Sequence, residues 1–476
     1  MVRTLLSDAA SPADARGRPG HFLALRLEML RRAGRLADIV QFAEARDRQN
    51  RPSSIQAYYA FALLGLGDHQ GACGEVNAIP VGDAGMPRKT LGLSLTLVAF
   101  CAAAAGQFEA AQLNLELARD QGEDVALAEN GLANLAAGTK TRGNQKAKVH
   151  LPGYVFLRLA EWKPTPTTLG YAGPDTLIAI ARDGELDGEI RLEALETAAR
   201  SNVLDHTTLA KAYKQQRFDP AVFDQPFENR YKGAFRRALL LQALEAEHQP
   251  LRRLRLIDSF LETARHDKLY HVLAKIIAGP IATLPLSEES LRFSTTVIEA
   301  FAAAGDYRRA GEWSVFARSR MGSRGDANLH WLSLLEIAQT DGKAEADQDL
   351  HVAKQNALAG RFGPEVLHRL VTVLDALQYN VPIPLWDAAS RTPQPTRGHL
   401  PETGALSRLQ NAAKRGEVGK TLLLAMAALG PGGPEGAHMI ALGDAIRALK
   451  TVGLEAEARQ VGFEALFAIW PRQANH

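Results

Sequence analysis

The sequence predicts an all-α protein, folded as a right-handed α-α superhelix, which is a solenoid of stacked helical hairpins. Three observations support this prediction. Alanine and leucine dominate the composition and β-branched residues are sparse, a bias that favours helices. The stretch 291–320 has the apolar spacing of one helical hairpin. Glycines that suit helix ends recur along the chain and separate further segments of the same kind.

The hairpin at 291–320 shows the pattern most clearly. Phe293, Val297 and Phe301 recur at helical spacing and form one apolar stripe. Gly305 is expected to end this helix, because glycine adopts the left-handed conformation at little steric cost. A second apolar pattern starts at Tyr307, which predicts a returning helix that packs against the first.

Composition limits the class of protein. A chain of 476 residues exceeds one ordinary hydrophobic core, so we expect several domains or an extended repeat array. The formal charge of +2 gives no field that would attract nucleic acid or anionic lipid, and neither is an expected partner. Two cysteines, Cys73 and Cys101, cannot form a disulfide framework or a zinc site. Their apolar surroundings predict small core residues, which fits a reducing compartment. The Ala/Gly-rich composition is typical of a bacterial protein, and we expect a cytoplasmic location.

Aligning the helix-ending glycines shows a repeat. Gly106 is followed by Phe108, Ala111, Leu115 and Ala118, and Gly305 is followed by a similar series. The chain thereby resembles the tetratricopeptide-repeat family, whose second helix carries Gly-x-Tyr-x-x-Ala-x-x-x-Phe-x-x-Ala. The match is degenerate, since no unit carries the opening Trp and Leu-Gly of that family. The resemblance implies stacked hairpins whose first helices line a concave surface that binds a segment of another protein.

The predicted organisation has six segments, and the boundaries follow losses of period and clusters of proline. An uncharged stretch at 90–108 has the length of a membrane span, but its alanine content favours a buried helix, and no transmembrane segment is expected. The segments are a disordered tail at 1–18, tetratricopeptide-like hairpins at 19–138, atypical helical hairpins at 139–290, tetratricopeptide-like hairpins at 291–378, a Pro-rich linker or strap at 379–403, and a four-helix capping block at 404–476.

The short motifs that resemble catalytic ones lack the neighbouring residues that the chemistry needs. Gly419-Lys420-Thr421 lacks the earlier glycine and the preceding strand that a phosphate loop needs. His69 precedes Cys73 by one helical turn, a spacing that can activate a thiolate, but both positions also fit hairpin packing. No HExxH or Gly-x-Ser-x-Gly motif occurs. We therefore predict that the protein is not an enzyme and has no catalytic residue, cofactor or metal ion.

Two features point to a binding surface. The stretch 130–160 contains no acidic residue, and its cations suit RNA or an acidic partner, although we favour a solvated basic loop. Trp386 lies in the Pro-rich segment, where it either pins that segment to the helices or is exposed as an interface anchor. We favour pinning. The cations considered are Lys140, Arg142, Lys146 and Lys148.

The function predicted from these features is a non-enzymatic scaffold or adaptor that binds a peptide or helical segment of another protein. Tyr58, Tyr59, Ser94 and Thr295 are the candidate contact residues on first helices of hairpins. One alternative is a superhelical accessory domain of a cell-wall or envelope-associated enzyme complex. Another is an RNA-binding helical repeat that uses the basic region at 139–158.

Overall fold

The computed structural model describes most of the chain, and the described residues are entirely helical in their regular structure. They contain 26 α-helices, two 3₁₀ helices and no β-strand. The predicted all-α class is therefore confirmed for them, while the stacking of hairpins into a right-handed superhelix stays a prediction. The described residues are 19–46, 51–80, 86–139, 147–228, 230–265, 267–321, 329–339 and 346–472. The predicted tail at 1–18 lies outside them.

The chain forms two compact units, Met1–Ala243 and Leu244–His476. The helices of the first unit are α1 Pro19–Arg32, α2 Leu36–Glu44, α3 Ser53–Gly65, α4 His69–Asn77, α5 Arg88–Ala104, α6 Phe108–Asp120, α7 Ala126–Ala136, α8 Leu151–Leu159, α9 Pro166–Leu169, α10 Pro174–Arg182, α11 Gly188–Arg200, α12 His206–Lys214 and α13 Gly233–Ala246, whose last residues belong to the second unit.

The second unit continues with α14 Pro250–Arg265, α15 Tyr270–Ala282, α16 Ser294–Ala304, α17 Tyr307–Met321, α18 His330–Ala338, α19 Ala346–Leu358, α20 Pro364–Ala376, α21 Ile383–Ser390, α22 Ala405–Lys414, α23 Val418–Leu429, α24 Gly433–Gly436, α25 Met439–Thr451 and α26 Glu455–Phe467. The 3₁₀ helices are Pro220–Phe223 in the first unit and Glu288–Phe293 in the second.

The hairpin predicted around Gly305 is confirmed. Helices α16 and α17 pack against each other on either side of it. Gly305 has φ of 84°, the left-handed conformation expected where a helix ends. Its N–H donates to Ala302 O at 3.1 Å, and the Asp306 N–H donates to Phe301 O at 2.9 Å. These bonds satisfy carbonyls that the end of α16 leaves without a helical partner.

The two cysteines differ from their prediction. Cys73 on α4 and Cys101 on α5 are joined by a disulfide, with a Cα–Cα distance of 5.6 Å, and each is half-buried. Both do pack against the core as predicted, but the prediction gave no indication that they are bonded to each other. The packing of α4 against α5 brings the two positions together, and this tertiary contact has no signature in the local apolar pattern.

The Pro-rich segment also differs from the predicted linker, since part of it is helix α21. Pro382 precedes the helix and Pro384 lies in its first turn. Proline is tolerated there because a first-turn N–H has no partner within the helix. Further along, the His399 N–H donates to Gly436 O at 2.8 Å, and the His438 N–H donates to His399 O at 3.0 Å. The segment thus contains a helix, and His399 hydrogen-bonds the stretch of backbone that leads into α25.

The uncharged stretch at 90–108 contains most of α5, which has 17 residues and is buried along much of its length. Within the part of the chain that the structure describes, no helix combines the length and the apolar character that a membrane crossing requires.

Candidate functional site

Two of the predicted contact residues are buried inside the first unit. The exposed fraction is 2% for Tyr58 on α3 and 7% for Ser94 on α5. The prediction that they face a partner is therefore wrong for this structure. The reason is that other helices of the same chain cover both α3 and α5. Helix α3 packs against α1, α2, α4, α5 and α10, and α5 packs against α3, α4, α6 and α8.

Specific contacts show how closely α8 approaches α3 and α5. A Cβ atom added at Gly65 on α3 would lie 2.7 Å from a methyl carbon of Leu151 on α8. On α5, the ring of Phe100 meets Phe156 of α8 edge to face, with centroids 5.9 Å apart. The chain itself thus fills space that the repeat resemblance assigned to a partner.

The remaining predicted contact residues do not assemble into one site. Tyr59 is half-buried, and its hydroxyl donates to Glu44 Oε1 at 3.2 Å. Thr295 is half-buried in the first turn of α16, in the second unit. Lys148 is exposed, ahead of α8. The other three cations of the basic region, Lys140, Arg142 and Lys146, lie outside the described residues.

Trp386 is the exposed aromatic residue among the predicted contact residues that the structure describes. Its exposed fraction is 45%, whereas the other four tryptophans are at most 6% exposed. This exposure favours the interface-anchor interpretation over pinning. Trp386 lines a cavity of about 410 Å³ in the second unit, which we name the Trp386 groove. The groove is lined by His368 and Thr372 of α20, Trp386 of α21, and Ile440, Asp444 and Arg447 of α25, among others.

Two helical faces form the walls of the groove. Each face consists of residues three or four positions apart, which share one side of a helix. Gly443 lets the walls approach, since an added Cβ there would lie 3.2 Å from Cγ2 of Thr372. The faces are His368, Val371, Thr372 and Asp375 on α20, and Ile440, Gly443, Asp444 and Arg447 on α25.

Polar contacts hold the two ends of the groove. At one end, Arg447 Nη2 donates to Asp375 Oδ2 at 2.6 Å, and Nη1 donates to Asp444 Oδ1 at 3.3 Å. At the other end, His368 Nε2 lies 3.0 Å from the Thr392 hydroxyl, within hydrogen-bond distance. The groove therefore combines apolar residues and an exposed indole with polar groups at both ends.

The exposure of Trp386 predicts a simple optical result. Replacing Trp386 with phenylalanine is expected to remove most of the fluorescence that iodide quenches, because the other tryptophans are buried. A Trp162→Phe variant is the matched control and should leave the quenchable fraction nearly unchanged. Stern–Volmer plots of the two variants and the wild type provide the measurement. Equal quenching in the wild type and in Trp386→Phe would show that the indole is covered.

A second polar cluster lies in the first unit, around Arg31 of α1. Arg31 donates to both carboxylate oxygens of Glu28, at 2.6 and 2.8 Å, and to Asp175 of α10 at 3.1 Å. The Tyr58 hydroxyl donates to Glu28 at 3.3 Å. Burial raises the pKa of the Asp175 carboxyl, with Arg31 acting in the opposite direction. This cluster joins α1, α3 and α10, and we interpret it as a structural contact.

The raised pKa of Asp175 predicts a pH-dependent stability difference. A carboxyl whose pKa is raised by folding adds stability below its ordinary pKa of 3.8, and this contribution is lost as pH rises through the folded pKa. Asp175→Asn keeps the neutral shape, and Arg31 retains Glu28 as its partner. We expect the variant to unfold at higher urea concentration than the wild type at pH 7. The gap should shrink towards pH 4, and a gap that widens on acidification would contradict the assignment.

The catalytic motifs are not assembled in the structure. Gly419, Lys420 and Thr421 lie within the first turns of α23, and the element before them is the helix α22. Cys73 is disulfide-bonded, so His69 has no thiolate to activate in this state. Among the described residues, no group of three or more His, Cys, Asp or Glu side chains is placed to hold a metal ion.

No protein-family model, no curated protein and no solved structure matches this chain. The tetratricopeptide resemblance therefore stays a prediction from the sequence.

Sequence reasoning missed most of the groove. His368, Asp444 and Arg447 are common surface residue types, and nothing local distinguishes them. One signal was present at Ile440, which is 54% exposed and shares a helical face with Asp444 and Arg447. A single apolar residue on a polar helical face is common at protein surfaces, so this signal alone could not identify the groove.

Proposed function

We propose that this protein is a non-enzymatic interaction protein and that the Trp386 groove binds a peptide or helical segment of a partner. The observation that supports this proposal is the exposed indole of Trp386, which lines a cavity with a volume of about 410 Å³. Tryptophan is enriched among the residues that contribute most to binding energy, and such residues lie in pockets from which binding excludes water.

Neighbouring apolar exposure supports the same proposal. Ile440 in the groove is 54% exposed, and Ile383 on the helix of Trp386 is 75% exposed. Covering apolar side chains of this size stabilises a complex by about 25 cal/mol for each Å² removed from water. An apolar centre with a polar rim is the usual anatomy of a specific protein interface.

Two polar groups that line the groove are held by neighbouring side chains. Arg447 bonds two carboxylates, and His368 lies within hydrogen-bond distance of Thr392. These contacts fix the shape of the groove and can orient a bound segment.

Selection of peptides on the intact protein tests the proposal. Random dodecapeptides displayed on phage are panned against the full chain, and enriched peptides are synthesised and titrated. We expect Trp386→Ala to weaken their binding about 30-fold or more, the effect of losing an anchor worth about 2 kcal/mol. Val315→Ala is the matched control, since Val315 is 59% exposed on α17 and does not line the groove. Peptides that bind both variants equally well would contradict the proposal.

The disulfide favours a more specific setting for this function, namely a complex of the cell envelope. Disulfides form and persist mainly in oxidising compartments, so the Cys73–Cys101 bond does not suit the cytoplasmic location predicted from composition. Alkylation of thiols in intact native cells, followed by mass spectrometry of the purified chain, tests the setting. Unmodified cysteines would support an oxidising compartment, and two alkylated cysteines would support the cytoplasm.

A further inference from the structure

We infer that the segment bound in the Trp386 groove carries a basic side chain next to its apolar residues. This inference rests on the proposed function and specifies the chemistry of the partner. It depends on the charges at one end of the groove and on the indole of Trp386, which is 45% exposed and lines the same cavity.

The first observation is an excess of carboxylate at one end of the groove. Arg447 is the one cation among the lining residues, and it is shared between Asp444, which also lines the groove, and Asp375, which lies beside it on α20. These three side chains together carry a formal charge of −1. The next cation along α25, Lys450, is paired with Glu455 at 3.5 Å and leaves this balance unchanged. Each carboxylate gives one oxygen to Arg447, and its second oxygen is left to accept from a donor on the partner.

These charges lie at the surface, where a partner reaches them. The exposed fractions of the side chains are 46% for Arg447, 42% for Asp375 and 27% for Asp444. A bound segment would remove part of the water that now contacts them. A lysine or arginine on that segment gains attraction as water leaves, whereas a glutamate would face two carboxylates or would have to displace one from Arg447.

The second observation is the indole itself. A cation placed over the face of tryptophan is attracted by the ring, and the attraction grows as the pair loses water. Trp386 and Asp444 line the same cavity, so one basic side chain has both an aromatic face and a carboxylate available. The other charged residues on and just after α21 are Asp387 and Arg391, which have opposite signs and do not change the balance.

Three matched peptide probes test this inference on the full chain. They are fluorescein-labelled dodecapeptides that share one leucine- and phenylalanine-containing core and differ at a single position, which is lysine, glutamine or glutamate. At low salt we expect the lysine peptide to bind about tenfold more tightly than the glutamate peptide, with glutamine between them. The preference should largely disappear in Asp375→Asn/Asp444→Asn and at high salt.

A variant with the opposite expected effect on binding controls for damage to the fold. Arg447→Gln removes the cation and leaves both carboxylates, so it should increase the preference for lysine over glutamate. A misfolded groove would lose all binding and would not show this gain. Thermal unfolding of each variant provides a further check.

The outcomes separate the two proposals. Binding that depends on Trp386 but ignores the charge of the probe, or favours glutamate, would overturn the basic-segment inference and leave the groove function standing. If no probe binds in a way that depends on Trp386, both proposals are overturned. A lysine preference that Arg447→Gln increases and the double asparagine variant abolishes is the result we expect.

Discussion

Replacing Arg237 with methionine is expected to destabilise the first unit by about 3–5 kcal/mol, the usual cost of breaking a buried ion pair on one side. Arg237 on α13 bonds both carboxylate oxygens of Glu196 on α11, at 2.7 and 2.5 Å. The exposed fractions of the two side chains are 4% and 3%. The Tyr213 hydroxyl of α12 donates to the same carboxylate at 2.6 Å. Without Arg237, a buried carboxylate would lose its counter-ion.

The pair can be tested by a double variant. Glu196→Leu/Arg237→Met replaces both charges with apolar groups of similar length, and such replacements are often neutral or stabilising. Urea unfolding should therefore show a large loss of stability in Arg237→Met and recovery of most of it in the double variant. A double variant that is no more stable than Arg237→Met would mean that the two side chains contribute through packing alone.

Removing the disulfide is expected to lower the free energy of unfolding by about 3–4 kcal/mol, from the loss of loop closure in the unfolded chain. The bond joins cysteines 28 positions apart, and it fixes α4 to α5. Cys73→Ser/Cys101→Ser avoids leaving one unpaired thiol. The measurement compares urea unfolding of the wild type, the variant and the wild type in dithiothreitol.

The reducing agent provides the control for this prediction. Dithiothreitol should bring the wild type close to the variant and leave the variant unchanged. A wild type whose unfolding does not respond to the reducing agent, and which carries two alkylatable thiols, would contradict the disulfide.

Local features of this fold were predictable because their causes are local. Glycine at a helix end, as at Gly305, needs only the left-handed conformation that other residues resist. Apolar spacing in the same stretch gave both helices of the hairpin. The all-α class follows from many such segments, each of which carries its own signal.

Contacts between distant parts of the chain were not predictable in this way. The Cys73–Cys101 bond depends on how α4 packs against α5, and the burial of Tyr58 depends partly on α10, which is remote in sequence. The repeat pattern predicted open first helices, but it contains no information about a later segment that covers them. Whether a side chain such as Tyr58 is buried depends on which other helices pack against it.

The candidate site lies between these cases. Trp386 was recognisable as an unusual residue in a Pro-rich segment, and its exposure supports one of the two interpretations given to it. The groove itself needs α20 and α25 to approach, and Gly443 permits that approach. A glycine within a helix is a weak signal when its packing partner is unknown.

Hydrogen exchange on the full chain is the most direct test of where a partner binds. A phage-selected peptide is added at saturation, and deuterium uptake is compared with that of the free protein by mass spectrometry. We predict slower exchange in α20, α21 and α25, with little change in α3 and α5. Protection confined to α3 and α5, with none around Trp386, would contradict the assignment of the groove.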